Sequence, residues 1–303
     1  GQDTASVLAA GLPDIIRNFP WPKSMRWGAG TLRWVRPLRG LTSCFGEDVI
    51  DFEVDGLCTG KVVRGHRFMA PETSATVSAE NYVETLMQAK VMVDASVRAQ
   101  AIENAARRLA EEKDCMLVDD PALVNETAGL VEWPVPLLGR IDDAFMDVPD
   151  EVLTSVMRTH QKYFSLKNPK TNKLAPYFIT IANIEAADQG AAIIAGNARV
   201  LRARLSDGRF FWDQDRKTSL EARLPALEKI VFHARLGTVA EKTERLEKLA
   251  AELSGLLGAD AASAGMAARL CKADLVSGMV YEFPELQGIM GGYYADNDGL
   301  DAS

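Results

Sequence analysis

GNARVLRARLSDGRFFWDQDRK, residues 196–217, decides how the rest of the chain is read. Taken as a helix, it puts Leu201, Leu205 and Trp212 on one stripe at i, i+4 and i+11. Arg199, Arg202, Arg209 and Arg216 fall on a face beside that stripe, and Gly208 is a candidate break. Two readings stand. One is an amphipathic helix with a solvated basic face and Phe210, Phe211 and Trp212 toward a core; the bare pattern favours it. The other is a grip for a polyanion with exposed bases, in which guanidinium forks hold phosphate and flat groups stack on bases.

The 303 residues leave room for one large or two ordinary domains, and 47% apolar with 25% charged residues is an ordinary globular balance. A net charge of −8 excludes a uniformly basic nucleic-acid binder. The charge is uneven, however. Between Arg17 and Arg39 stand Arg17, Lys23, Arg26, Arg33, Arg36 and Arg39 with no acid, and Lys61, Arg64 and Arg67 cluster around His66. Cys44, Cys58, Cys115 and Cys271 are scattered without a CxxC pair, which reads as reduced thiols of a cytoplasmic protein and not as a zinc site. No apolar run is long enough to span a membrane, and no signal peptide is visible. The chain opens on Gly1 without a methionine and ends shortly after a helical pattern, as a piece of a longer polypeptide would.

In chain order, the pattern predicts a helix over 3–18, stopped by Pro20 and Pro22, and strands over 32–35 and 49–54. It then predicts a helix from about Asn81 that restarts at Asp94, a short helix over 123–131 and a strand over 134–141. A helix over 150–160 and strands over 163–166 and 177–182 complete this part. From 218 onward three helical patterns (218–233, 238–257, 260–281) follow with no strand signal. The fold class is therefore α+β: an N-terminal helix with a Pro/Trp linker segment over 1–29, a mixed α/β module 30–215 and an all-α region 216–303.

Residue types that carry chemistry are few. No phosphate-binding loop, dinucleotide fingerprint or HExxH is present, and His66, His160 and His233 are the only histidines. His160, between a helix and a strand, is a candidate general base or a helix-end histidine favoured by the dipole. Glu132, flanked by apolar residues, is a candidate partly buried acid or a satisfied structural carboxylate. The loop Arg64-Gly65-His66-Arg67 is a phosphate grip or a solvated turn.

MRWG (25–28), VRPLRG (35–40), RGHRF (64–68), LVEWP (130–134), HQKYF (160–164), GNARVLRARLSDGRFF (196–211), CKADL (271–275) and EFPELQGIMGGYYA (282–295) together resemble, in order, the β-subunit family of bacterial glycyl-tRNA synthetases. The resemblance covers nearly the whole chain, without the family's N-terminal part, the rest of its helical region or its C-terminal anticodon-binding domain. It implies an α2β2 glycine–tRNA ligase in the cytoplasm, with ATP, Mg and glycine bound by the partner α subunit and no cofactor here. It also implies tRNA(Gly) gripped by the β subunit. Residues 30–215 would resemble the editing-type module of the phenylalanyl-tRNA synthetase β subunit, and the helical region an HD-type domain. Where that domain carries its metal-binding His-Asp pair, this chain has Ala273-Asp274 preceded by Lys272, so no metal is expected. Candidate tRNA contacts are Arg26, Arg33, Arg36, Arg64, Arg67, Lys162, Arg199, Arg202, Arg204 and Arg209. Two alternatives remain: a tRNA-editing hydrolase with Glu132, His160 and Tyr163 lining its pocket, and a purely structural docking module.

Overall fold

The computed structural model describes residues 1–300, which form two compact units. The first comprises 1–102, 125–135 and 182–186; the second comprises 103–124, 136–181 and the described chain from 187 onward. The fold is mixed α+β with a helical C-terminal region.

In the first unit, the helix Thr4–Arg17 starts where the Asp3 carboxylate accepts the Ser6 N–H at 3.1 Å, and it ends just ahead of Pro20 and Pro22. The strand expected over 32–35 shrinks to a single antiparallel bridge, Met25 to Trp34. Prolines at 22 and 37, and Gly28 at φ +55°, leave no room for a longer ladder. The strand expected over 49–54 is also broken. Asp48–Val49 pairs with Cys44–Phe45, and Glu53–Val54 pairs with Leu57–Gly60. Between them the Thr59 hydroxyl donates to Ile50 O at 2.8 Å and accepts from Phe52 N at 3.0 Å, taking up the groups a continuous strand would have paired. Asp55 and Gly56 turn the second hairpin with φ of +52° and +81°, the both-positive geometry an Asp-Gly pair favours. A further ribbon, Val62–Arg64 with Ser74–Thr76, packs Val63 and Val77 against Leu86 of the helix Tyr82–Gln88. The expected restart at Asp94 is present: its carboxylate accepts the Ser96 N–H at 2.7 Å and opens the helix Ala95–Glu111.

In the second unit a four-stranded sheet runs Met116–Leu117, Phe164–Lys167, Leu174–Ala182, Val135–Arg140. Gly139 lets the Phe178 ring lie directly on the neighbouring backbone: a Cβ there would stand 2.2 Å from Phe178 Cζ. The helix expected over 150–160 is an α-turn, Asp150–Ser155, continued by a π-turn, Val156–Gln161, and closed by Lys162 in the left-handed region at φ 58°. The long helix Ala191–Asp215 runs unbroken through Gly208. Gly208 is buried, and a Cβ on it would meet Val152 Cγ1 at 3.2 Å, so this glycine serves close packing and not a break.

Leu201, Leu205 and Trp212 enter one apolar core with Val152, Met157 and Phe178 on one side of residue 215 in sequence and Leu220, Met279, Phe283 and Tyr294 on the other. Packing in this unit therefore does not divide near 215, where the composition changes. The region beyond is also not purely helical: Val231–His233 and Gly237–Thr238 form a small antiparallel hairpin, its turn using Gly237 at φ +83°. The helix Val239–Leu257 follows, with a reciprocal cap between Thr238 and Glu241. Among the described residues no helix is long and apolar enough to cross a membrane.

Candidate nucleic-acid interface

On the long helix the arginines meet acids. Arg202 lies 3.1 Å from Asp142; Arg209 bonds Asp147 at 2.6 Å, Asp213 at 3.4 Å and the Ala144 carbonyl. Arg216 bonds Asp213 at 2.9 Å and sits over the Trp212 ring, and Arg204 is 3.9 Å from Asp207. Exposed pairs of this kind contribute little to stability, but each carboxylate cancels charge a phosphate would seek. Arg199 alone of the five is exposed with no ion pair or hydrogen bond among the described residues. The rings divide as well: Trp212 is in the core, stacked on Tyr294, while Phe210 faces solvent. The amphipathic reading thus describes most of this helix.

The acid-free stretch of the first unit is different. Lys23, Arg26 and Arg39 are exposed and have no partner among the described residues. Arg33 donates to the Ser24 hydroxyl and carbonyl, and Arg36 to the Val35 carbonyl; neutral acceptors orient these groups and leave their charge uncancelled. Beside them in the same stretch, Phe19, Trp21 and Trp34 form an aromatic cluster with centroids 4.6 to 5.6 Å apart. Lys23 and Arg39 are not among the contacts expected from sequence, although the absence of any acid from 17 to 39 marks them. Arg64 and Arg67 are exposed without a carboxylate partner among the described residues.

The three groups expected to line a hydrolytic pocket belong to different surroundings. Glu132, in the first unit, is exposed and not partly buried as its neighbours suggest; its backbone N–H goes to Asn183 Oδ1. In the second unit, Tyr163 is 3% exposed, stacked on Phe178 at 4.8 Å, with its hydroxyl donated to Asn197 Oδ1 at 2.6 Å. His160 is exposed, with its ring edge-on to Phe283. Lys162 is half-buried at the end of the π-turn.

Burial pushes the Tyr163 hydroxyl up to about 12. Its folded value lies above the ordinary value near 10, so its contribution to stability is whole below pH 10 and is lost as pH rises from 10 through 12. Tyr163→Phe should therefore remove one late-titrating phenol from the absorbance titration at ~295 nm, read against the usual tyrosine value. A Tyr163 that titrates with the exposed tyrosines would contradict this burial.

Asp274, which the sequence resemblance set against an HD-type domain's aspartate, is fully buried. Its Oδ2 accepts N–H groups from Gly288 at 2.5 Å and Gly291 at 3.2 Å, at the start of the helix Ile289–Asn297. An anion at a helix start is a structural use of the carboxylate. Its Oδ1 has no partner, but no group of three or more His, Cys, Asp or Glu that could hold a metal occurs among the described residues. With Ala273 beside it, the donor set does not fit a divalent ion.

One hub has no local signal in the sequence. Asp215, 6% exposed, accepts from Gly278 N at 3.0 Å, Met279 N at 2.8 Å, Tyr294 Oη at 3.0 Å and Arg223 Nη2 at 3.2 Å.

Comparison with known proteins bears on the whole chain. The sequence profile of the family described as "Glycyl-tRNA synthetase beta subunit" matches residues 1–303. The glycine–tRNA ligase beta subunit of Phenylobacterium zucineum (strain HLK1) is 51% identical over 305 residues, covering 99% of this chain and 46% of the relative. That of Ruegeria sp. (strain TM1040) is 50% identical over 309 residues, covering 99% and 45%. That of Rhodospirillum centenum (strain ATCC 51521 / SW) is 48% identical over 329 residues, covering 100% and 46%. The chain spans about half the length of the curated relatives it matches.

Proposed function

The chain belongs to the glycyl-tRNA synthetase beta subunit family, and from that premise we propose that it is a tRNA-gripping, catalysis-supporting part of an ATP-dependent glycine–tRNA ligase. In this reading the adenylate chemistry, with ATP, Mg and glycine, belongs to a partner α subunit of a cytoplasmic α2β2 assembly. This chain acts by position: its cations neutralise backbone phosphates of tRNA(Gly) and hold the acceptor arm toward the partner's active site, turning an encounter into an oriented one. The observation that carries the reading is the acid-free stretch 17–39, where Lys23, Arg26 and Arg39 stand exposed with no carboxylate partner among the described residues.

The test is the full-length subunit assembled with its α partner and carrying Lys23→Gln, Arg26→Gln and Arg39→Gln. The KM for tRNA should rise roughly tenfold and the salt dependence of binding should fall by about two to three phosphate equivalents. Glycine-dependent ATP–pyrophosphate exchange should stay within about twofold of the unaltered enzyme, as expected when only tRNA binding is weakened. An unchanged salt slope in a normally assembled enzyme would refute the assignment.

A docking role has support in the helical region. Leu249, Leu253, Leu256 and Leu257 lie at i, i+4, i+7 and i+8 of the helix Val239–Leu257 and are 54% to 82% exposed, an apolar face suited to another protein surface. The two roles use different residues and are compatible.

A further inference from the structure

The RGHRF motif folds into a turn whose parts are held in an unusual way. His66 is 1% exposed. Its backbone N–H goes to Ala89 O at 2.9 Å, its carbonyl accepts from Ala70 N at 2.9 Å, and its Nδ1 accepts from both Phe68 N and Met69 N at 3.2 Å. Two N–H donors aimed at Nδ1 assign the proton to Nε2, and Nε2 has no partner among the described residues. Gly65 N–H bonds Thr73 O, and a Cβ on Gly65 would meet Ala70 and Ala89 at 3.0 Å. Met69 Sδ accepts from Glu185 N at 3.3 Å. The buried imidazole thus sets the backbone of the two residues that follow it.

What this turn presents is Phe68, 70% exposed and the most exposed phenylalanine among the described residues. A large ring held outward by its own backbone is not a core residue out of place. Arg67 holds its guanidinium over the ring, 5.6 Å from the centroid, and Arg64 is the last residue of the strand that leads into the turn. Between Asp55 and Glu80 the only acid is Glu72, against Lys61, Arg64 and Arg67. The surface joins a flat apolar platform to two uncancelled guanidinium forks. A protein loop would need no forks, and a phosphate alone would need no ring. An unpaired nucleotide uses both, because every base has a face to stack and a phosphate beside it. Since the turn is already ordered, little conformational entropy is lost on binding.

We propose that residues 64–68 form a stacking site for one unpaired nucleotide of RNA, with Phe68 as platform, Arg64 and Arg67 on the flanking phosphates and His66 as the positioning residue. This rests on the RNA-binding reading above and assigns it a second, separately testable contact.

The experiment uses the full-length subunit assembled with its α partner and tRNA transcripts carrying 2-aminopurine at each single-stranded position in turn. Binding should quench the probe at one position. Phe68→Trp should keep the quench and the affinity. Phe68→Leu should abolish the quench and weaken binding about tenfold, with the salt slope unchanged. Arg64→Gln and Arg67→Gln should each lower the slope by about one. Equal affinity and quench in Phe68→Leu and the unaltered enzyme would overturn the site. A Phe68→Leu enzyme that binds tRNA normally but loses its α partner on gel filtration would also overturn it, in favour of a protein contact. If Phe68→Leu is silent while the Lys23/Arg26/Arg39 variant loses its salt slope, this site fails and the wider reading stands. The reverse pattern keeps this site and removes the acid-free stretch as the main grip.

Discussion

Replacing Asp215 by alanine is expected to destabilise the chain by about 3–5 kcal/mol, the cost of stranding a buried charge. Arg223 is 8% exposed and gives Nη2 to both the side chain and the backbone carbonyl of Asp215, at 3.2 and 2.7 Å. Without the carboxylate, a guanidinium remains in the core beside two unsatisfied N–H groups at the start of the helix Gly278–Glu282 and the Tyr294 hydroxyl. Burial first, and then the Asp215 charge, hold that hydroxyl far above the ordinary tyrosine range, so the tyrosine remains a donor to the carboxylate. Asp215→Asn keeps the shape but offers one accepting oxygen in place of two, and should lose a smaller amount. Urea unfolding measures both, with Asp207→Ala as the contrast: its pair with Arg204 is solvent-exposed, and the change should stay within about 0.5 kcal/mol. If Asp215→Ala unfolded at nearly the same urea concentration as the unaltered chain, the hub would not hold this core.

Gly139→Ala should cost about 3 kcal/mol, at the upper end for overpacking. The added methyl would lie 2.2, 2.4 and 2.8 Å from three atoms of the Phe178 ring. That ring is fully buried and backed by the stacked Tyr163, so it cannot step aside without moving a second aromatic. Phe178→Leu in the same chain should recover part of the loss, because the smaller side chain opens the space the methyl needs; the coupling is read from a double-mutant cycle. Gly196→Ala is the control. No atom of the described residues lies within 4 Å of where a Cβ would stand, and on the long helix the change should stabilise slightly. Equal thermal midpoints for Gly139→Ala and Gly196→Ala would contradict the packing described for the sheet.

Local signals are legible where local chemistry decides. The first helix, the restart at Asp94, the stripe of Leu201, Leu205 and Trp212 and the strand ending at Ala182 all follow from a few adjacent residues. The misses share a cause in distance. The strand over 49–54 breaks because the Thr59 hydroxyl takes bonds seven to nine residues away. Gly208 reads as a breaker until Val152 is seen against it. The arginine face looks free in sequence because Asp147, which meets Arg209, lies 62 positions earlier. Asp215 binds groups 63 to 79 positions later, and no window shows that. For the candidate interface the composition is the better guide: a stretch without acids leaves its cations few partners, wherever the chain folds.

Asp274 has an implication for anyone redesigning this domain. The resemblance read from the sequence sets it beside Ala273 in the place of a His-Asp doublet, yet supplying a histidine by Ala273→His would not install an ion. Position 273 is fully buried, so an imidazole has no free volume there. The carboxylate is also already engaged as the counter-charge of a helix start, through Gly288 and Gly291. Only Oδ1 is left for an ion, and a single carboxylate oxygen with no further donor group beside it among the described residues does not hold one. Hydrolytic chemistry here would therefore need a whole ligand set placed inside a packed core, and not one added histidine.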